Sequence, residues 1–402
     1  MQNIFIARQP VYDRELHVVG YELLFRARDT NRAEIRNGDE ATAQVILNSF
    51  INMGIESLVG SGLAFINVPE ALVQNDALLP MFHEQTVLEI LETVRPRPEV
   101  IEGLRRLKQR GFRLALDDFV YRSELYPLVD LADYIKLDVK GVHDSVLASR
   151  VAEVMRFGKQ LVAERVETEA QYQACRALGF THFQGYFFCH PETLKDRTVP
   201  PNKLVVLQLM QELANPDLDV RELEATLSND IALSYKLMRY VNSAALSVRR
   251  EIESLKVAIV LVGFNTIRNW AALVLLNSIN AGRPPEIIKI GMIRARMCEL
   301  IAQRAAPKLV PQMFITGLFS VLDAVMAVRM ETLLDNLVLA APIKFALVNH
   351  EGELGKILAQ VLQYERGEWE ELLRCGGDRE LLVESYIAAL HWADKHMDAL
   401  FR

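Results

Sequence analysis

Leu114-Ala115-Leu116-Asp117-Asp118-Phe119 is the stretch on which the reading of this chain turns. Three apolar residues end abruptly in two adjacent carboxylates. An apolar run that switches to charge reads as a buried strand reaching the edge of its core. In barrels and open α/β sheets that edge carries the chemistry. Two neighbouring Asp side chains repel each other, so a fold that gathers both at one spot supplies a cation or a proton. A helix N-cap followed by a first-turn Asp produces the same doublet with no chemistry at all. Taken alone, the doublet favours that structural reading, and the flanking pattern has to decide.

Outward from this stretch, residues 4–185 repeat a short apolar run, a turn and a helical-period segment. The runs are 18–24, 63–68, 87–90, 113–116, 134–137, 160–163 and 181–186, with helix-like segments at 41–50, 98–110, 145–157 and 169–178. This alternation predicts a mainly parallel sheet with helices packed outside it. About eight units in so short a length suit a compact, closed α/β barrel of the TIM type. Within or just past the runs stand Glu22, Asn67, Glu89, Asp117 with Asp118, Lys136, Glu164 and Gln184. In a closed parallel barrel these groups meet on one face. So many acids share a desolvated mouth only with divalent cations, and an oxygen-rich set suits Mg²⁺ or Mn²⁺ better than zinc. Two metals bridged by a shared Asp are the usual apparatus for in-line attack on a phosphodiester. Any one of these acids, Glu22 or Glu164 for example, is equally readable as half of a salt bridge. Lys136 is either a counter-ion, to Asp138 or to the acid cluster, or the group that holds and orients the attacking water.

The ordered motifs of this half carry a resemblance. Gln9-Pro10-Val11, Tyr21-Glu22-Leu23-Leu24-Phe25-Arg26, Ile66-Asn67-Val68, Leu88-Glu89-Ile90-Leu91-Glu92, Leu116-Asp117-Asp118-Phe119, Ile135-Lys136-Leu137-Asp138, Ala163-Glu164-Arg165-Val166-Glu167-Thr168 and Phe183-Gln184-Gly185-Tyr186 together resemble the EAL domain. That is the cyclic di-GMP phosphodiesterase family of bacteria. The resemblance implies a TIM-like barrel in which Glu22, Asn67, Glu89 and Asp117 hold one metal and Asp117, Asp118 and Glu164 help hold a second. It implies catalytic roles for Lys136, Asp118 and Glu164, and contacts to the dinucleotide or its surroundings from Gln9, Arg26, Glu167 and Gln184. The implied reaction opens cyclic di-GMP to linear pGpG. Pairing of two barrels into a homodimer is a further family expectation.

Three features depart from the family pattern. A glycine-rich loop is replaced by Val120-Tyr121-Arg122-Ser123-Glu124, the naming motif reads Glu-Leu-Leu, and Arg165 stands where the family has glycine. Glycine permits backbone angles that a β-branched valine resists. Hydrolysis and binding without turnover therefore both stay open, as does an adaptor acting through protein contacts alone.

Residues 194–202, with Pro200-Pro201, read as a break between domains. The expected division is a barrel over 1–195, a linker over 196–203 and an all-α domain over 204–402. Helical periodicity predicts helices at 220–227, 231–241, 254–262, 266–279, 286–305 and 313–327, with Met292 and Met297 in the core. Leu227 to Ser234, Val241 to Ala245 and Ala258 to Phe264 resemble the HDOD domain, a helical relative of the HD metal-dependent phosphohydrolases. Where the His-Asp doublet of those enzymes is expected, the chain reads Gly317-Leu318-Phe319-Ser320-Val321-Leu322-Asp323, and no histidine occurs between His190 and His350. Such a metal site is excluded by inventory, leaving a binding or output module with an unidentified protein partner. His143-Asp144 is expected at the surface. Arg239, Arg249, Arg250 and Arg268 are readable as a modest basic face, or more simply as surface ion pairs.

Composition sets the outer limits. The 402 residues are 50% apolar, enough for two cores. A net charge of -7 without a dense Lys/Arg block argues against broad nucleic-acid binding, whereas a small nucleotide is compatible because a metal supplies positive charge. Cys175, Cys189, Cys298 and Cys375 show no paired spacing, which fits a reducing cytoplasm. The first residues do not resemble a secretory signal, and apolar stretches such as 271–276 are too short to span a bilayer.

Overall fold

The computed structural model describes residues 5–26, 54–74, 84–185, 201–243, 252, 254–280, 283–335, 337–374 and 376–401. It divides into two compact units, Met1–Phe188 with Glu365–Trp369, and Cys189–Tyr364 with Glu370–Arg402.

Eight strands close the first unit into a barrel in sequence order: β1 (Phe5–Tyr12), β2 (Val18–Arg26), β3 (Leu63–Val68), β4 (Thr86–Ile90), β5 (Arg113–Leu116), β6 (Tyr134–Asp138), β7 (Gln160–Glu164) and β8 (His182–Phe183). From β2 to β8 every pairing is parallel, as the alternating pattern predicts. β1 is the exception, antiparallel to both β2 and β8. The connection from β1 to β2 is far too short for a crossover, so a reversal is the only route. Asp13 makes that reversal: its Oδ1 accepts the backbone N–H groups of Glu15 and His17.

The barrel floor is a layer of Val11, Phe65, Val87, Ala115, Tyr134 and Val162. Side chains on a strand return to the same face every second residue. Two residues further along each parallel strand the inward position is therefore Asn67, Glu89, Asp117, Lys136 and Glu164. Gly20 leads in the same way to Glu22, and on β1, running the other way, the matching residue is Gln9, two before Val11. One apolar layer thus supports one polar layer. The register is staggered, as strand tilt in a closed barrel requires: Asn67 lies opposite Glu89, but Glu22 lies opposite Phe65, Glu89 opposite Ala115 and Lys136 opposite Val162.

Helices outside the barrel follow the expected pattern at Pro98–Gln109, Asp144–Met155 and Glu169–Leu178. The last starts with a capping box between Thr168 and Gln171. The helix expected at 41–50 lies outside the described residues.

The second unit is helical throughout its described residues, with Val220–Ser228, Ile231–Val241, Leu255–Val262, Phe264–Ile279 and Pro285–Ala305 close to expectation. Its first helix among the described residues, Pro201–Ala214, begins inside the stretch read as linker, with Pro201 at the position where a missing N–H costs nothing. The single helix expected over 313–327 is instead two, Val310–Phe319 and Leu322–Met326. The break lies at Ser320, whose hydroxyl donates to Gly317 O at 2.7 Å while its own oxygens accept from the buried Arg294 guanidinium at 3.2 and 3.4 Å. Met292 and Met297 are core residues. Arg268 is not at the surface: it is 3% exposed and donates to Pro311 O, so it belongs to no basic face. Arg249 and Arg250 lie outside the described residues. Pro307–Met326 has the length and apolarity of a membrane span, yet 72% of it is buried inside the fold.

Gly317 sits where Val310–Phe319 crosses Pro285–Ala305, and a Cβ there would lie 2.7 Å from Ala295 Cα and 2.8 Å from Arg294 O. Gly317→Val is expected to destabilise the helical unit by about 1–3 kcal/mol, the usual cost of overpacking. Urea unfolding followed by circular dichroism checks this; an unchanged midpoint would show that the crossing has room to spare.

Candidate active site at the barrel mouth

Lys136 stands in the middle of β6 and is 1% exposed. Its Nζ lies 2.6 Å from Glu89 Oε1, 2.7 Å from Glu164 Oε1, 3.1 Å from Asp117 Oδ1 and 3.3 Å from Glu22 Oε2. Three strands, and the residue that follows β5, thus each supply one carboxylate to a single ammonium. The acid cluster, rather than Asp138, is its counter-charge. Gln184 Nε2 donates to Glu22 Oε2 at 2.7 Å and to Gln9 Oε1 at 3.1 Å, and Asn67 Nδ2 donates to Glu22 Oε1 at 3.3 Å.

This crowding separates the protonation of the acids. Burial would raise Glu22, but Lys136 and the hydrogen bonds from Gln184 and Asn67 outweigh it and hold that carboxyl below its usual range. Glu89 is held well above its usual range by burial and by the neighbouring Glu22 charge. Burial, with Asp117 and Glu22 nearby, pushes Glu164 up to about 7 against the pull of Lys136. Burial works against charge on Lys136, yet the surrounding acids prevail and keep it well above the usual lysine range. The cluster thus holds one firmly protonated lysine, one firmly ionised Glu22, and two acids, Glu89 and Glu164, raised above the usual carboxylate range.

The remaining expected residues divide. Gln184 joins the cluster through Glu22, and Gln9 joins it through Gln184. Asp118 follows Asp117 directly but turns away from Lys136: it is half exposed and lies 3.9 Å from the Arg165 guanidinium. Glu167 is paired with Lys140 at 2.5 Å, outside the Lys136 group. The Arg26 side chain lies outside the described residues. His143 is exposed as expected and caps a helix by accepting the Ser145 N–H. Sequence reasoning missed Asp138 as a site residue, and it read Arg165 only as a departure. Yet Arg165 ion-pairs with Asp138 and sits at φ 55, in the left-handed region that glycine favours. Asp118 is left-handed as well, at φ 43. The cause is backbone pinning: Asp117 N–H donates to Ile90 O on β4, and Phe119 N–H to Lys136 O on β6. The chain changes partners within two residues, and Asp tolerates that conformation better than most. No residue between Val120 and Glu124 has a positive φ, so the glycine-free loop is accommodated without strain of that kind.

The donor set fits a hard divalent cation in its chemistry. Glu89 Oε2 and Asn67 Oδ1 are buried without a hydrogen-bond partner, while Glu89 Oε1 meets the Lys136 ammonium. Buried oxygens in that condition are costly unless a cation meets them. Among the described residues no group of three acids, histidines or cysteines already converges on one chelating point. The reason is visible in the ion pairs, since each carboxylate aims an oxygen at Lys136.

Two outcomes follow for chelator-treated protein. Lys136→Met leaves buried acids uncompensated and is expected to cost about 3–5 kcal/mol, with Mn²⁺ restoring part of the thermal midpoint. Glu164 binds its proton more tightly folded than unfolded, since its value is raised from 4.5 to about 7. Its contribution is complete below pH 4.5 and is lost as pH rises to about 7, a change of about 3 kcal/mol at most. Thermal midpoints between pH 4.5 and 8 should therefore fall less in Glu164→Gln than in the parent; parallel curves would contradict the assignment.

The EAL domain family matches residues 33–191 and the HDOD domain family residues 199–354. The chain is 35% identical to the cyclic di-GMP phosphodiesterase CdgJ of Vibrio cholerae, over 98% of this chain and 93% of that protein. It is 31% identical to YuxH of Bacillus subtilis, over 99% of this chain and the whole of that protein. Among solved structures, the Bacillus subtilis YkuI protein, with an EAL domain, in complex with substrate c-di-GMP and calcium, overlaps 63% of this chain and 70% of its own at 20% identity, with a TM-score of 0.40. With both domain families matched in that order, and two relatives aligned along nearly its full length, the chain belongs to the proteins in which an EAL domain precedes an HDOD domain.

Proposed function

We propose that this protein is a cytoplasmic cyclic di-GMP phosphodiesterase, dependent on Mg²⁺ or Mn²⁺, that opens the cyclic dinucleotide to pGpG. The observation that carries the reading is the buried ammonium of Lys136 ringed by Glu22, Glu89, Asp117 and Glu164, with Asn67 Oδ1 and Glu89 Oε2 left without hydrogen-bond partners. The full-length similarity to the Vibrio cholerae phosphodiesterase supports the substrate.

In this reading Glu22, Asn67, Glu89 and Asp117 hold one divalent ion, and Asp117, Asp118 and Glu164 contribute to a second. When bound, the ions supply charge to the phosphodiester oxygens and acidify the attacking water. The residues then have distinct duties. Lys136 is protonated and can only donate, so it orients the water oxygen and cannot take its proton. The proton goes to a carboxylate at the mouth, a duty this reading assigns to Asp118 or Glu164. Gln184 fixes Glu22 and Gln9 in place. Arg26, Gln9, Glu167 and Gln184 are assigned to the dinucleotide or its surroundings, and pairing of two barrels is part of the same reading. The helical unit acts as a non-catalytic output module for a protein partner. The closely packed Gly317 crossing, in the stretch where a His-Asp doublet is expected, supports that role.

A second reading, a barrel that binds without turnover, is favoured by one observation. Asp118 is engaged with Arg165 rather than with the other acids. Incubation with cyclic di-GMP and Mn²⁺, measuring bound ligand and pGpG together, separates the two. Product is expected, and Asp117→Ala should lower its rate by about a hundredfold or more. Ligand bound without product would establish a receptor, and neither signal would leave only an adaptor.

A further inference from the structure

We infer that Arg165 is a built-in cation at the barrel mouth, latching Asp118 to Asp138, and that a divalent ion reaching Asp118 has to displace it. The inference rests on the divalent site proposed above and adds a residue that sets how tightly its second half binds.

The backbone argument comes first. Arg165 lies between two pinned neighbours. Glu164 O accepts the Val139 N–H at 3.1 Å, and Val166 N–H donates to Gln184 O at 3.0 Å. Gly185 closes on Val166 so tightly that a Cβ would lie 2.3 Å from its backbone N and O. With both flanks held, residue 165 has to take the left-handed turn, at about 1 kcal/mol or more for a residue other than glycine. A long cationic side chain in such a place has to be explained by what its head group does.

The head group supplies the explanation. Arg165 Nη2 pairs with Asp138 Oδ2, and Asp138 is itself anchored because its Oδ1 accepts the Lys140 N–H at 2.9 Å. From that anchor the guanidinium reaches to 3.9 Å from Asp118 Oδ1. Two internal cations therefore divide the acids of the mouth. Lys136 gathers Glu22, Glu89, Asp117 and Glu164, while Arg165 draws Asp118 toward Asp138. The residue joining the two groups is Asp118, next to Asp117 in the chain and turned the other way. Its release from Arg165 is what a second divalent ion requires.

The test is a Mn²⁺ titration of the full chain at fixed ionic strength, reading free Mn²⁺ by electron paramagnetic resonance, for the parent, Arg165→Gln and Arg165→Gly. Both variants are expected to tighten the weaker Mn²⁺ step by about tenfold and leave the tighter step in place, the size suited to one partly exposed charge at close range. Arg165→Gln keeps the left-handed cost and removes only the charge. A gain confined to Arg165→Gly would assign the effect to backbone strain and overturn the latch. In the Arg165→Gln background, Asp118→Asn should cancel the gain; a gain that survives would also overturn it. Unchanged Mn²⁺ affinities in both variants would sink the latch and leave the divalent site standing. No Mn²⁺ binding in any protein would sink both.

Discussion

A buried ammonium among four carboxylates is the constraint on which the barrel mouth depends. Charges of one sign cannot be collected in a dry barrel without compensation. Lys136 provides it from β6, and the price is that each acid aims an oxygen at the lysine. The same arrangement spreads the acids' proton affinities, holding Glu22 low and pushing Glu89 and Glu164 up. The residues that compensate the buried charge are therefore the ones whose protonation shifts, and pH acts on that balance.

The barrel delivers those residues by period-two geometry. An apolar floor of Phe65, Val87, Ala115, Tyr134 and Val162 fixes the inward face of five strands, and the next inward position on each is a site residue. Parallel pairing from β2 to β8 carries those positions to the same end of the barrel. A one-residue slip in register would turn a site residue outward and put its apolar neighbour in its place. The helical unit follows a different rule, close crossing of helices at Gly317, and that crossing is why the stretch read against the His-Asp doublet is packed rather than open.

Much of this was legible before any coordinates. The acids and Lys136 could be picked out because each sits within or just past an apolar run, where a buried strand has no other use for charge. β1 was not resolved as a strand of its own, since its antiparallel direction comes from a short reversal at Asp13 rather than from the α/β alternation. The helix expected over 313–327 looked continuous because its apolar residues keep their spacing. The break at Ser320 depends on Arg294, twenty-six residues away. Arg268 looked like a surface arginine and is buried, because only the fold brings Pro311 O to meet it.

The chain's pattern of apolar runs and charged ends was enough to settle the barrel class and the helical second half, and it picked out the acids that meet Lys136. These follow from local periodicity and residue inventory. Tertiary structure alone decided how the acids divide between two cations. Asp117 and Asp118 are neighbours in sequence, yet the first faces Lys136 and the second faces Arg165. That split arises because Asp117 N–H bonds to β4 and Phe119 N–H to β6, which turns the backbone between them into the left-handed region. Directions of this kind are set by which strands lie on either side, and no local pattern carries that information.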